Sequence, residues 1–241
     1  MRSISPAVLD QLAPGGVLRA AINFGNPVLA QQGPEGAPQG VSVALAKALA
    51  EELGVRLEMI TFDAAGKVFA ALEEGRWNLA FLAIEPVRAE QIAFSEPYVI
   101  IEGTYLVEQA SAYRDVADLD QPGLRLAVGK GAAYDLFLSR SLQHATLERA
   151  ATSAAAVELF TAQQLDAAAG VRQPLEQVAL KDPRYRVLPG AFTEIRQAMA
   201  VPRANAEAAA CVAEFLERQL ANGFVRGALL ASGQTDVSAP R

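Results

Sequence analysis

A single cysteine in 241 residues, Cys211, excludes an intrachain disulfide and with it a disulfide scaffold. A single histidine, His144, excludes His-rich zinc or iron sites. No apolar run approaches the ~20 residues of a membrane helix. Leu79–Ile84 and Val99–Ile101 are among the longest. Basic excess is missing too. Lys and Arg number 21 against 27 Asp and Glu, the net charge is −6 and the pI is about 5.0. That balance argues against nucleic acid as the main partner. Apolar residues are plentiful: 51% of the chain is hydrophobic and 20% charged. This is too apolar for disorder and enough for one large core or two smaller ones. The opening MRSISPAVLDQLAPGG has an arginine but no apolar stretch of ~7–15 residues, so it does not read as a secretory leader. The expected compartment is the periplasm if a leader was trimmed and the cytoplasm if Met1 is the native start.

Short apolar runs alternate with helical stretches, the pattern of an α/β protein. Val17–Phe24 reads as a first strand and 33–40 as a Gly/Pro-rich loop. Val41, Leu45, Ala48, Leu49 and Leu53 then mark one face of a helix that stops at Gly54. Strands follow at 55–62 and 78–84, a short helix at 67–74 lies between them, and Pro86 opens another helix. A second set begins near residue 110. It has strands at 124–128, 145–149, 166–170 and 185–188, and helices at 132–141, 153–162 (with Thr152 as N-cap) and 174–180. The strand at 194–201 leaves this set, helices at 204–220 and 224–231 close the chain, and the polar tail from Thr235 is expected to fray.

Four stretches are also familiar in type and order: Gly40–Ala46; Phe62-Asp63 with Leu72 and Gly75; Arg88 followed by Ile92–Tyr98 (IAFSEPY); and Asn222-Gly223-Phe224. On these residues the chain resembles the extracytoplasmic solute-binding proteins of ABC importers, the polar amino-acid-binding family (family 3), over about residues 16–233. The resemblance implies a type II periplasmic-binding-protein-like α/β fold of two lobes, residues 1–107 plus 197–241 and residues 108–196. Two crossover strands, near 104–107 and 196–201, would form the hinge. A ligand would sit between the lobes, which would close over it.

The candidate site residues follow. A guanidinium presents a planar two-toothed donor that matches a carboxylate, so Arg88 is the first candidate; in the family this arginine holds the ligand α-carboxylate. Backbone N–H groups of the strand end Phe81–Glu85, Ala83 among them, are expected to help. The competing reading of Arg88 is a surface arginine on a helix start. Gly129-Lys130-Gly131 turns into a helix and offers free N–H groups and a positive dipole end to an anion through Gly131, Ala132 and Ala133. Relatives carry Thr or Ser where the two alanines stand. Lys130 reads equally well as solvated surface.

Two family acids that hold a ligand ammonium fall here on Val171 and near Asn23, and the family's covering aromatic falls near Asn26, with Phe24 close by. A buried ammonium without a carboxylate partner costs several kcal/mol. The usual ammonium pocket is therefore dismantled, unless Glu85, Glu102 or Glu194 replaces it. Arg172 is a candidate for a second anionic group of a dicarboxylate, or else a solvent-facing helix start. Asn23, Phe24 and Asn26 form either part of the site or a capped strand end with a packing Phe.

The resemblance implies binding without chemistry and no cofactor, and the lack of a nucleophile–base pair agrees with that. The expected partners are a small anionic or zwitterionic organic ligand and a membrane permease, with the chain acting as a monomer. The alternatives are a dehydratase-like enzyme, with a desolvated Glu102 or Glu194 as general acid, and a ligand-sensing module. The short stretch before Val17 leaves too little chain for a helix-turn-helix.

Overall fold

A computed structural model describes residues 4–240; Met1–Ser3 of the opening stretch and Arg241 of the tail lie outside them. The chain runs α1 (Pro6–Leu12), β1 (Val17–Asn23), β2 (Gln31–Gln32), β3 (Pro38–Gln39), α2 (Val41–Leu53), β4 (Arg56–Phe62) and α3 (Ala65–Ala70). Then come β5 (Ala80–Ala83), α4 (Pro86–Ala89), β6 (Ile92–Glu108), β7 (Arg125–Gly129), α5 (Ala133–Ser141), β8 (Thr146–Ala150) and α6 (Ser153–Gln163). The rest is β9 (Ala167–Val171), α7 (Arg172–Lys181), β10 (Tyr185–Val187), β11 (Thr193–Pro202), α8 (Ala206–Ala221) and α9 (Phe224–Ala231).

Two compact units result. The first holds residues up to Phe62, Lys67–Ile100 and the chain from Arg196; the second holds Asp63–Gly66 and Ile101–Ile195. The lobes expected from the sequence are drawn on the same two strands, β6 and β11. The connection expected at 104–107 is the far part of one unbroken 17-residue strand, β6.

In the first unit β1 and β4 pair in parallel from Val17↔Arg56 to Asn23↔Phe62. A parallel bridge, Ala20↔Leu79, leads from β1 into β5, and β11 pairs β5 antiparallel through Gln197↔Ala83. Helix α2 buries Val41, Leu45, Ala46, Leu49 and Leu53, four of them anticipated from the helical period. It ends at Gly54, whose left-handed φ of 67° suits glycine and whose N–H closes on the Ala50 and Glu51 carbonyls. Trp77 is buried and its indole N–H reaches the Val68 carbonyl at 2.9 Å.

In the second unit β7 pairs in parallel with both β8 and β9, and β6 runs antiparallel to β9 and β10. Leu106, Ala127, Ala156, Phe160, Leu165 and Leu175 form its core. Each large side chain there contributes about 1.5–3 kcal/mol by burial.

Three features differ from the sequence expectation. Helix α1 is present, started by the Ser5 side chain accepting from the Val8 N–H and by Pro6 at the first position. These start signals stand in the sequence, but seven residues are too few to show a period. The Gly/Pro-rich loop after β1 contains the small hairpin β2–β3. The tail is tied at Ser238 by an antiparallel bridge to Ile100, where fraying was expected.

A carboxylate clamp closes the loop before β8. Asp120 accepts from the N–H groups of Gln143, His144 and Ala145 at 2.8–3.2 Å. Burial pushes its pKa up, but these N–H donors outweigh it and hold the carboxyl below its ordinary range. A depressed folded value means the stabilisation is present above the unfolded value of about 3.9 and is lost as pH falls through the folded one. Asp120→Asn is thus expected to cost about 1–2 kcal/mol at neutral pH and less as pH falls through the folded value. Urea melts of both proteins at pH 7 and pH 2 measure this; an equal gap at both pH values refutes it.

Candidate functional site

The expected site residues fall into two sets. Ala83, Arg88, Asn23, Phe24 and Asn26 belong to the first unit; Gly131, Ala132, Ala133 and Arg172 belong to the second.

In the first unit the segment 84–88 is inside out. Its apolar members are exposed, Ile84 at 38% and Val87 at 45%, while its charged members are buried, Glu85 at 7% and Arg88 at 1%. A buried charge and exposed large aliphatics are each uncommon, and five consecutive residues carry both. Local sequence explains the backbone. The run Ala80–Ala83 fills β5, Glu85 occupies the N-cap position, and Pro86 starts α4 with its φ preset for a helix. Arg88 then turns back, and its Nη1 donates to the Ala83 carbonyl at 3.0 Å. Burial lowers its pKa to about 10, and the nearby Glu85 charge acts in the opposite direction without cancelling it. At neutral pH the guanidinium stays charged, in surroundings that favour a further anion.

Asn23 ends β1 and is buried; its Oδ1 accepts from the Gly25 N–H at 2.8 Å. Asn26, also buried, accepts from the Val28 N–H through Oδ1 at 3.2 Å. Both amides thus shape the turn that leaves β1. Phe24 is half-buried and donates its N–H to the Phe62 carbonyl at 2.8 Å. Given the parallel bridge Ala20↔Leu79, Asn23 and Ala83 both stand at the carboxyl ends of neighbouring parallel strands. Open α/β sheets place ligands at that edge.

The second unit repeats the arrangement. The turn 129–131 leaves the carboxyl end of β7, and Val171-Arg172 leaves that of its parallel neighbour β9. Gly131 has φ +76°, and a Cβ there would come within 2.8 Å of the Gly66 Cα, so glycine is required twice over. The Gly131 N–H, expected to be open to a ligand anion, donates to Asp135 Oδ2 at 2.8 Å.

Asp135 is 3% exposed and is the centre of a network the sequence reading missed. Arg149 Nε reaches its Oδ1 at 3.1 Å, Arg149 Nη2 donates to Ser139 Oγ at 2.7 Å, and Ser139 Oγ donates to Asp135 Oδ1 at 3.1 Å. An acid in the first turn of α5 was the visible signal. Its partner Arg149 lies on another strand and could not be inferred. Tyr134 is buried; its hydroxyl accepts from the Gly129 N–H at 3.0 Å and shares a hydrogen bond with Ser153 Oγ at 2.7 Å. Burial pushes that hydroxyl's pKa up, and the Ser153 and Gly129 contacts only moderate the shift. Ala133 is buried and Ala132 half-buried.

Arg172 is held by its own unit. Nε donates to Glu102 Oε2 at 2.6 Å, Nη1 lies 3.8 Å from Glu176 Oε1 and 3.4 Å from the Leu188 carbonyl, and Nη2 donates to the Gly190 carbonyl. Neither acid considered for chemistry is desolvated. The Glu102 side chain is 49% exposed and ion-paired, and Glu194 is exposed.

Among the described residues no group of His, Cys, Asp and Glu could hold a metal ion, and no helix is long and apolar enough to cross a membrane.

The comparisons fit this arrangement. A cyclohexadienyl dehydratase of Pseudomonas aeruginosa is 27% identical over 143 residues, 58% of this chain and 53% of that protein. The chain spans about half the length of this curated relative and less of another. The solved solute receptor for L-cysteine of Neisseria gonorrhoeae superposes with a TM-score of 0.82 at 21% identity, covering 95% of this chain and 93% of that one. An amino acid ABC transporter substrate-binding protein from Streptococcus pneumoniae, solved with L-arginine, gives a TM-score of 0.80 at 21% identity over 98% of this chain and all of that one. These likenesses show the fold. The model of bacterial extracellular solute-binding proteins, family 3, matches residues 18–227, which spans both units and both clusters of strand-end residues. The chain therefore belongs to the bacterial extracellular solute-binding proteins, family 3.

Proposed function

We propose that the chain is the solute-binding component of an ABC-type importer. It captures a small carboxylate-bearing solute, an amino acid or a similar organic acid, by hinge closure and passes it to a membrane permease. The observation that carries this reading is the buried Arg88 at the carboxyl end of β5, bracketed by exposed Ile84 and Val87. A guanidinium in that setting grips a carboxylate, and exposed aliphatics beside it suit the carbon body of a solute. The pneumococcal protein, bound to L-arginine and described as an ABC transporter substrate-binding protein, supports the importer role. An extracytoplasmic location accompanies it.

The second reading, an enzyme on the same fold, is favoured by the 27% identity to a cyclohexadienyl dehydratase. It requires a carboxyl group able to give up a proton, and Glu102 would first have to leave Arg172.

One experiment separates the two. The purified protein is screened by thermal shift against small carboxylates, and every stabilising compound is recovered and identified after incubation. A saturable shift with the compound returned unchanged supports binding. A compound returned dehydrated supports the enzyme, and no shift with any carboxylate defeats both.

A further inference from the structure

Each polar group at the strand ends has a partner of its own, and what it leaves over narrows the solute. Asn23 and Asn26 spend Oδ1 on the N–H groups of Gly25 and Val28. These bonds fix the amide orientation, so each side chain is left with its N–H₂ group, a donor. Donors repel an ammonium and donate to a carbonyl or carboxylate oxygen. Asp135 fills the Gly131 N–H with an internal carboxylate and is matched by Arg149. Arg172 is matched by Glu102 and Glu176. The side chains of Ala83, Ile84 and Val87 in the first unit, and of Ala132, Ala133 and Val171 in the second, are aliphatic. The first unit's buried acid, Glu85, lies within electrostatic reach of Arg88.

We infer that the solute is a monocarboxylate with an apolar body and no ammonium group, an inference that rests on the carboxylate-binding reading above. Arg88 takes its one carboxylate. A neighbouring oxygen, such as a 2-oxo group, suits the asparagine amides. In the first unit an ammonium would meet the donors of Asn23, Asn26 and Arg88; in the second unit the anion-binding groups are already taken, the Gly131 N–H by Asp135 and Arg172 by Glu102 and Glu176.

Matched pairs test this by calorimetry on the full chain: 4-methyl-2-oxopentanoate against leucine, and phenylpyruvate against phenylalanine, each pair exchanging an oxo group for an ammonium. Hexanoate, phenylacetate and 2-oxoglutarate complete the set. At least one monocarboxylate is expected to bind about tenfold or more tightly than its amino counterpart and than 2-oxoglutarate. Leucine, phenylalanine or 2-oxoglutarate binding more tightly than every monocarboxylate that lacks an ammonium overturns the inference and leaves the carboxylate reading standing. Silence from all seven, and from the wider carboxylate screen, defeats both. A variant gives an independent check. Glu102→Gln removes the charge paired with Arg172 Nε while Glu176 and the Leu188 and Gly190 carbonyls still hold the side chain in place, and 2-oxoglutarate is then expected to gain about fivefold or more in affinity; no gain counts against the assignment of Glu102 as the group that keeps a second acid out.

Discussion

Arg88→Ala is expected to abolish the thermal shift that any carboxylate solute produces. Truncating one partner of a buried, hydrogen-bonded charge pair costs about 2–5 kcal/mol, or roughly 30- to several-thousand-fold in affinity. A solute at about a hundred times its Kd stabilises the parent by about 2.7 kcal/mol, some 5–10 °C for a chain of this size. At the same concentration the variant should keep no more than about 0.9 kcal/mol of it at the lower bound of that loss and essentially none at the upper. Because Arg88 is 1% exposed and donates to the Ala83 carbonyl, its loss will also lower basal stability. Calorimetry well below the variant's melting temperature therefore supplies the decisive reading. Arg88→Lys separates charge from shape: it retains a cation but loses the planar fork, so binding about tenfold or more weaker than the parent is expected. Parental affinity in Arg88→Ala would show that the carboxylate is held elsewhere.

Asp135→Ala should produce the largest loss of stability among single changes at these strand ends, about 2–4 kcal/mol. The carboxylate accepts from a backbone N–H, a serine hydroxyl and a guanidinium while 3% exposed, so its removal leaves the Gly131 N–H and Arg149 without that partner. Arg149 is 42% exposed and can turn to water, which keeps the cost below that of a fully buried pair. Urea denaturation followed by a signal from the second unit measures the loss. Arg149→Ala should cost less than Asp135→Ala, because the acid retains the backbone and serine donors. If the arginine variant is the less stable of the two, the network is organised around Arg149 instead.

The strand–helix alternation, the buried face of α2 and the caps at Gly54, Pro86 and Thr152 could all be read in the sequence. They depend on contacts within a few residues and on a period that repeats along the chain. Arg88 stood out for the same reason, since the planar donor and the motif Ile92–Tyr98 beside it are both local. Other outcomes depended on partners far apart in the chain. Arg172 looked open to a ligand until Glu102, 70 positions earlier, and the Gly190 carbonyl took its donors. The Gly131 N–H looked open until Asp135 closed on it, with Arg149 arriving from β8 to balance that charge. The free ends of Asn23 and Asn26 became known only when the backbone N–H groups they accept were placed.

By itself, then, the order of residues determined an α/β chain with paired sets of strands and one arginine suited to a carboxylate. Which of its other polar groups remain available to a solute was decided by tertiary structure alone. A side chain's hydrogen-bonding capacity is written in its formula, but how much of it is already used depends on what folding brings within 3 Å or so.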